Sequence, residues 1–326
     1  MSGLRILLLG KRGSLVLWLE NFHRACVQSN YTTQVFAING DTLASWLRVK
    51  WQGRASMNAG WMLARFEQTI VKFQPDLIIA AGVFGIPLDY YQVLSALPRR
   101  PVIAGLIGDR FPPDSQERAN YCDRLYFTDS RFFDAAAAAG FSVSGRYLPL
   151  AVDPRLFTLG QSPRRPELLF VASRTEFRES VVRDLTMSAR IIGTDWSDLA
   201  RAGFHRVQNG KISRSALIRL YQRHQTVLNI RNEANVEDGL NQRSFEPLAC
   251  GAVVLNDDLA DLPRCFEPGR EILVYRNTDE LNDLIHRLQR EPDFGARIAV
   301  AGRRRILAEH TYQHRVRFML NDLGLP

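Results

Sequence analysis

Short, unbroken apolar runs alternate with amphipathic stretches through the first half of the chain. Arg5–Leu9 (RILLL), Thr33–Ile38 (TQVFAI), Leu77–Ala81 (LIIAA), Val102–Ile107 (VIAGLI) and Leu125–Phe127 (LYF) have no polar alternation. That pattern belongs to parallel strands buried on both faces. Helical spacing runs from Leu15 to Gln28, residues 41–73 read as one or two helices, and Phe132–Ala139 is a helix closed by Gly140. Tyr147–Pro154 (YLPLAVDP) is extended, and Gln161–Pro166 (QSPRRP) is polar and helix-breaking, so the linker falls across this stretch. The rhythm then restarts. Strands are expected at 167–172, 190–192, 226–230 and 252–255. Helices are expected at 178–189, 215–224, 242–250 and 278–289, with a mainly helical stretch from 293 onward. Two successive βα units imply two open parallel sheets with a cleft between them, and ligands of such sheets sit outside the carboxyl ends of the strands.

Composition changes this picture little. The 326 residues are 46% hydrophobic and 23% charged, ordinary globular values that argue against disorder, collagen and coiled coil. The longest apolar run, Leu77–Leu88, is interrupted by glycines and a proline and falls short of the roughly 20 residues of a membrane span. The short Ile6–Leu9 run near the start lacks the length of a signal sequence, so a cytoplasmic protein is expected. Cys26, Cys122, Cys250 and Cys265 form no CxxC pair and are expected as reduced, buried thiols.

Charge adds one question. The net charge is +8, and only Lys11, Lys50, Lys72 and Lys211 of the 42 basic residues are lysines. A GC-rich genome explains such an arginine excess; so would a phosphate-bearing ligand or a peripheral contact with an anionic membrane face. The scattered basic residues lack the aromatic interleaving of a dedicated nucleic-acid binder.

The chemistry concentrates in Asn229–Asn256 (NIRNEANVEDGLNQRSFEPLACGAVVLN), a strand, a polar loop, a short helix and a second strand. Asp238, Asn241, Arg243 and Ser244 precede or open the helix, and a helix start presents unpaired N–H groups that favour phosphate. Pro247 suits the first turn. Glu246 would oppose a phosphate but accept hydrogen bonds from ribose hydroxyls. Capping and dipole complementation account for Asp238 and Glu246 equally well from spacing alone. In the first half, Gly10, Arg12 and Gly13 end the first strand and could line a phosphate or acceptor. Asp109, behind Val102–Ile107, is placed either as a general base or as a turn residue. No DxD motif occupies a loop position, and Asp257-Asp258 lacks the pattern, so no metal is expected. His310 and His314, four apart, are read as a C-terminal helix surface rather than a zinc site.

These residues resemble a known family. Leu169–Arg174, Gly193–Trp196, Leu220-Tyr221, Val227–Ile230, Asp238–Gly251, Phe266–Glu271, Ala301–Arg303 and His310–Arg315 follow, in order and spacing, the CgeB-like, group 1 type of glycosyltransferase. The resemblance implies the GT-B fold, two Rossmann-like domains facing each other across a cleft. Its divisions here would be an acceptor-side domain at 1–157, a donor domain at 158–305, and a C-terminal helix at 306–326 packing back toward the first. It further implies transfer of a hexosyl group from a UDP- or GDP-linked sugar without a metal cofactor. The acceptor stays open: protein, glycan, lipid-linked or small molecule, or a modified base in DNA.

Residue by residue, the resemblance implies that Glu246 holds the ribose and that Asp238, where relatives carry Glu, faces the donor sugar. Arg174 and Lys211 match the family's basic positions, Gly193 approaches the nucleobase through its backbone, and Arg243 with the N–H groups near Ser244 meets the diphosphate. Two other readings compete: a nucleotide-sugar epimerase or phosphorylase on the same fold, and a non-catalytic nucleotide-sugar or partner-binding protein. A dehydrogenase is disfavoured, since neither half carries G-x-G-x-x-G between strand and helix.

Overall fold

The computed structural model describes residues 3–13, 17–40, 60–112 and 115–326, with single positions at 44, 47 and 51. The start of the Leu15–Gln28 helix and most of residues 41–59, expected as helix, lie outside the described residues. The chain divides into two compact units, Met1–Pro149 with Tyr312–Pro326, and Leu150–Thr311. The expected division lies at 157/158, with the terminal segment starting at 306. The contacts put the division at 149/150, inside the extended YLPLAVDP stretch, and give residues from 312 onward to the first unit.

The first unit is a six-stranded parallel sheet: β1 (Arg5–Gly10), β2 (Thr32–Ala37), β3 (Leu77–Ala81), β4 (Val102–Ile107), β5 (Arg124–Phe127) and β6 (Gly145–Tyr147), in the order β2-β1-β3-β4-β5-β6. Its helices are α1 (Trp18–Gln28), α2 (Gly60–Phe73), α3 (Leu88–Ser95), α4 (Gln116–Asn120) and α5 (Phe132–Ala138). The apolar runs are largely buried, except for the first half of β2, where Gln34 is exposed, and Phe36, Phe66 and Tyr90 pack on one face as an aromatic cluster with centroids 5.0 to 6.1 Å apart. The sequence pattern missed α3 because Leu88 closes an apolar run and the amphipathic Tyr90, Tyr91, Leu94 face begins only after it.

The second unit repeats the plan with β7 (Arg165–Val171), α6 (Glu176–Arg183), β8 (Ala189–Gly193), α7 (Ser197–Ala202), β9 (Arg206–Asn209), α8 (Arg214–Arg223) and β10 (His224–Asn229). It continues through a 3₁₀ turn (Gln242–Ser244), α9 (Glu246–Ala249), β11 (Val253–Asp257), α10 (Leu262–Cys265), β12 (Leu273–Tyr275), α11 (Thr278–Arg290) and α12 (Pro292–Glu309). The last helix, α13 (Tyr312–Asp322), belongs to the first unit. The second sheet is also wholly parallel, in the order β12-β11-β10-β7-β8-β9. The chain starts in the middle at β7, builds outward through β8 and β9, and crosses back to β10. The strand order therefore reverses between β7 and β10, and a crevice opens there at the carboxyl ends.

Three expectations are corrected. The helix expected over 178–189 ends at Arg183, where Leu185 turns into the core ahead of β8. The helix expected over 242–250 is a 3₁₀ turn followed by only four α-helical residues, with Pro247 in its first turn. His310 is not on a helix surface. It lies between α12 and α13, 4% exposed, its Nε2 donates to the Cys265 carbonyl at 2.8 Å, and its ring packs against Phe245 and Phe266. All four cysteines are buried, and none forms a disulfide among the described residues. No described helix is long and apolar enough to cross a membrane.

Candidate functional site

The crevice between β7 and β10 is held by one buried cation. Thr175 caps α6, its Oγ1 accepting from the Arg178 N–H at 3.2 Å. This start to the helix directs the Arg178 side chain across the sheet end. Its Nη1 donates to the Ser173 carbonyl beyond β7 at 3.0 Å, and its Nε donates to the Ile230 and Arg231 carbonyls beyond β10 at 3.3 and 3.2 Å. Arg178 is 4% exposed, and burial, with Arg243 nearby, lowers its pKa to about 10. It therefore stays charged at neutral pH and places a positive field at the crevice.

Beside it lies a polar network that sequence reasoning missed. Asn229 ends β10, Asn256 sits opposite it in β11, and both are fully buried. Asn229 Nδ2 donates to Ser244 Oγ at 3.0 Å and to Asn256 Oδ1 at 2.7 Å, and Ser244 Oγ donates to the same Oδ1 at 2.8 Å. Asn229 Oδ1 accepts from Asn241 Nδ2 at 3.1 Å and from Arg243 Nε at 3.0 Å. Asn241 also caps the 3₁₀ turn, accepting from the Arg243 N–H at 2.9 Å. The Ser244 and Phe245 N–H groups donate to the Asn241 and Gln242 carbonyls, both at 3.0 Å. Ser244 and these N–H groups thus hold the turn together. Arg243 itself points into the crevice region, half-buried, with Nη2 on the Ile230 carbonyl at 3.4 Å and its pKa lowered by burial.

Glu246 follows directly and is 6% exposed. Its nearest cation is Arg214 at the start of α8, 3.9 Å away, and no protein hydrogen bond reaches its carboxyl among the described residues. Burial raises its pKa to about 7, against the pull of Arg214 and Arg243. A buried carboxyl without donors is costly unless something else supplies them. Asp257, at the end of β11, is a second buried carboxyl, only partly supplied with donors. Its Oδ2 accepts from the Arg231 N–H at 3.3 Å, Oδ1 is buried without a partner, and burial raises its pKa to about 6. Arg214 and Asp257 carried no motif. The available signal was position, since each sits at the end of an element that borders the crevice.

The remaining expected residues are dispersed. Arg174 is half-exposed and ion-paired to Glu179, which also holds Arg183 at 2.6 Å, so a phosphate at Arg174 would compete with a carboxylate already in place. Lys211 is exposed, behind Gly210, whose N–H donates to the Gly193 carbonyl at 2.7 Å. Asp238 is half-buried in the irregular segment before the turn, its carbonyl accepting from the Asp261 N–H at 3.1 Å. Gly193 has a packing reason to be glycine: an added Cβ would lie 1.8 Å from the Ala172 carbonyl oxygen, to which Trp196 Nε1 donates at 2.7 Å. Gly193→Ala is expected to destabilise the second unit by about 2 kcal/mol, the range of an overpacked core. Urea unfolding checks this; an unchanged midpoint would show that the β7–β8 ends separate freely.

In the first unit the strand order reverses between β1 and β3. Gly10 ends β1 where a Cβ would lie 2.8 Å from the Ala81 carbonyl oxygen. The Arg12 N–H donates to Asn39 Oδ1 at 2.9 Å, and Gly13, at φ 71°, donates to Glu20 Oε1 at 2.9 Å. The loop is thus preset while the Arg12 side chain remains exposed. Asp109 lies just beyond β4, and desolvation of its carboxyl raises its pKa, the direction a general base needs. Among the described residues no three His, Cys, Asp or Glu side chains gather as metal ligands would.

Residues 164–321 match a glycosyl transferase-like family. No curated protein matches the chain. Solved structures match along its length at low identity. Anabaena HepE in complex with UDP-glucose is 13% identical with a TM-score of 0.67, over 98% of this chain and 99% of that one. Sucrose-phosphate synthase from Thermosynechococcus elongatus is 11% identical with a TM-score of 0.68, over 98% and 99%. A glycosyltransferase from Rickettsia africae is 11% identical with a TM-score of 0.70, over 98% of each chain. The fold is therefore that of the GT-B glycosyltransferases, and the stretch that carries the β7–β10 crevice is glycosyl transferase-like in sequence.

Proposed function

We propose that this protein is a glycosyltransferase of the CgeB-like kind that moves a hexosyl group from a nucleoside-diphosphate sugar to an acceptor without a metal ion. The observation that carries the reading is Glu246, a carboxyl buried at the crevice, lacking hydrogen-bond donors and flanked by Arg214 and Arg243. A ribose supplies the missing hydroxyls, and a diphosphate supplies the anion that Arg178 and Arg243 favour. Breaking the anomeric bond leaves an oxocarbenium-like sugar and a nucleoside diphosphate. The positive field at the β7–β10 crevice stabilises the charge growing on that leaving group. Asp238 is assigned to the donor sugar. UDP is the first nucleotide to test, because the HepE structures hold UDP and UDP-glucose.

The test is a calorimetric titration of UDP at pH 6 and pH 8. Hydroxyls donating to Glu246 favour its ionised form, so binding expels its proton. With a free-state pKa of about 7, affinity should then rise as pH rises, by about tenfold across this interval. The terminal phosphate of UDP titrates near 6 as well. Comparison with Glu246→Gln removes that contribution: the variant should bind more weakly at pH 8 and show a shallower pH dependence. Absence of UDP binding, or identical pH dependence in both proteins, would overturn the reading.

A further inference from the structure

A concavity with an arginine-rich rim lies at the opposite edge of the same sheet. Arg165 opens β7, Arg190 is the second residue of β8 and His224 opens β10, so these line the amino-terminal edge. Arg219 and Arg223, in the last turns of α8, complete the basic lining. His224 and Asn229 are the two ends of β10, five residue steps apart, which is about 16 Å along a strand. This pocket is therefore separate from the β7–β10 crevice. Its volume is about 210 Å³. That is the liquid volume of about seven waters, below the range of sites for large ligands, and it fits a small one.

Two features of the lining are unexplained by folding. None of the four guanidinium groups has an ion pair or a hydrogen bond among the described residues. A nearby carboxylate, Glu167, is paired with Arg206 at 3.2 Å. Four uncompensated cations around one concavity repel one another and concentrate anions. The second feature is His224, which is 1% exposed. Its Nδ1 donates to the Leu220 carbonyl at 2.8 Å, so in the neutral ring Nε2 is an acceptor. That Nε2 is buried with no hydrogen-bond partner, and the Glu167 carboxylate stands 3.6 Å from it. Ile212, Ala216 and Leu220 supply the apolar part of the wall.

We propose that this pocket binds a phosphate monoester, its phosphate held by Arg165, Arg190, Arg219 and Arg223 and its organic portion on Ile212, Ala216 and Leu220. Guanidinium forks match phosphate oxygens in pairs. The O–H of a monoanionic phosphate supplies the donor that His224 Nε2 lacks. The same chemistry is presented by a soluble phosphate monoester and by the monoester headgroup of phosphatidic acid.

The experiment uses the full chain with three probes: phenyl phosphate, inorganic phosphate, and vesicles of phosphatidic acid in phosphatidylcholine. Two double variants, Arg219→Gln/Arg223→Gln on the helix and Arg165→Gln/Arg190→Gln on the strands, keep the test valid should one fail to fold. Phenyl phosphate bound by the wild type, and at least tenfold more weakly by the variants, supports a soluble ester. Co-flotation with anionic vesicles that the variants lose, without phenyl phosphate binding, supports a lipid headgroup. Inorganic phosphate binding as tightly as phenyl phosphate would overturn the role of the apolar wall. The proposal fails if the wild type ignores both phenyl phosphate and vesicles, or if the variants bind as the wild type does.

Discussion

Arg243→Ala should lower turnover of a UDP-sugar by more than about 100-fold. The guanidinium is fixed on two sides, through Nε to Asn229 Oδ1 at 3.0 Å and through Nη2 to the Ile230 carbonyl at 3.4 Å, so its remaining N–H groups are preorganised toward the crevice. Removing one such donor from a developing oxyanion costs about 2.7–4 kcal/mol of barrier, or roughly two to three decades in rate. The partly desolvated setting works in the same direction, because a charge pair interacts more strongly where water is excluded. Arg243→Lys keeps the charge but loses the planar fork that Asn229 and Ile230 orient, and should recover only a small part of the activity. The measurement is single-turnover kinetics with UDP-glucose, alongside the folded fraction from circular dichroism at the same temperature. A rate that falls only in proportion to the folded fraction would make Arg243 a stabilising residue alone, and undiminished turnover would remove it from the mechanism.

The strands that frame this site were legible because burial on both faces leaves no room for polar alternation. RILLL, LIIAA and VIAGLI became β1, β3 and β4 within a residue or so of where the apolar runs lie. Pairing order is a different kind of information. Nothing in the local pattern of β7 says that its neighbours are β8 and β10, and it is this pairing that locates the crevice. The prominent side chains of the Asp238–Glu246 stretch were visible, but their partners were not. Arg243 and Glu246 stand out in sequence; Arg178, Arg214 and Asp257 reach the site from other elements. The helix expected at 242–250 illustrates a further limit. Asn241 and Pro247 are both start signals, and two start signals six residues apart mark a 3₁₀ turn and a second short helix rather than one long one. The Asn229–Asn256 pair did leave a trace. Each asparagine closes an otherwise apolar strand, VLN and VVLN, and a parallel register sets them side by side.

That pair should be the most sensitive stability element in the second unit. Asn229→Ala is expected to destabilise it by about 3 kcal/mol. The side chain makes four hydrogen bonds in a fully buried setting, two as donor to Ser244 and Asn256 and two as acceptor from Asn241 and Arg243. Truncation leaves each of these partners short of one bond, and a buried polar group left unmade costs about 1–3 kcal/mol. Ser244 and Asn256 still hold each other at 2.8 Å, so the penalties overlap and their sum is an upper limit. Hydrogen exchange of the β10 and β11 amides reads the effect directly. Opening of these central strands tracks the stability of the unit, and about 3 kcal/mol corresponds to exchange more than roughly 100-fold faster. The network predicts a second, independent signature: Asn229→Ala and Asn256→Ala combined should cost clearly less than the sum of the single variants, because either single variant already breaks the bond the two share. Strictly additive losses would mean that the two asparagines act on separate parts of the fold.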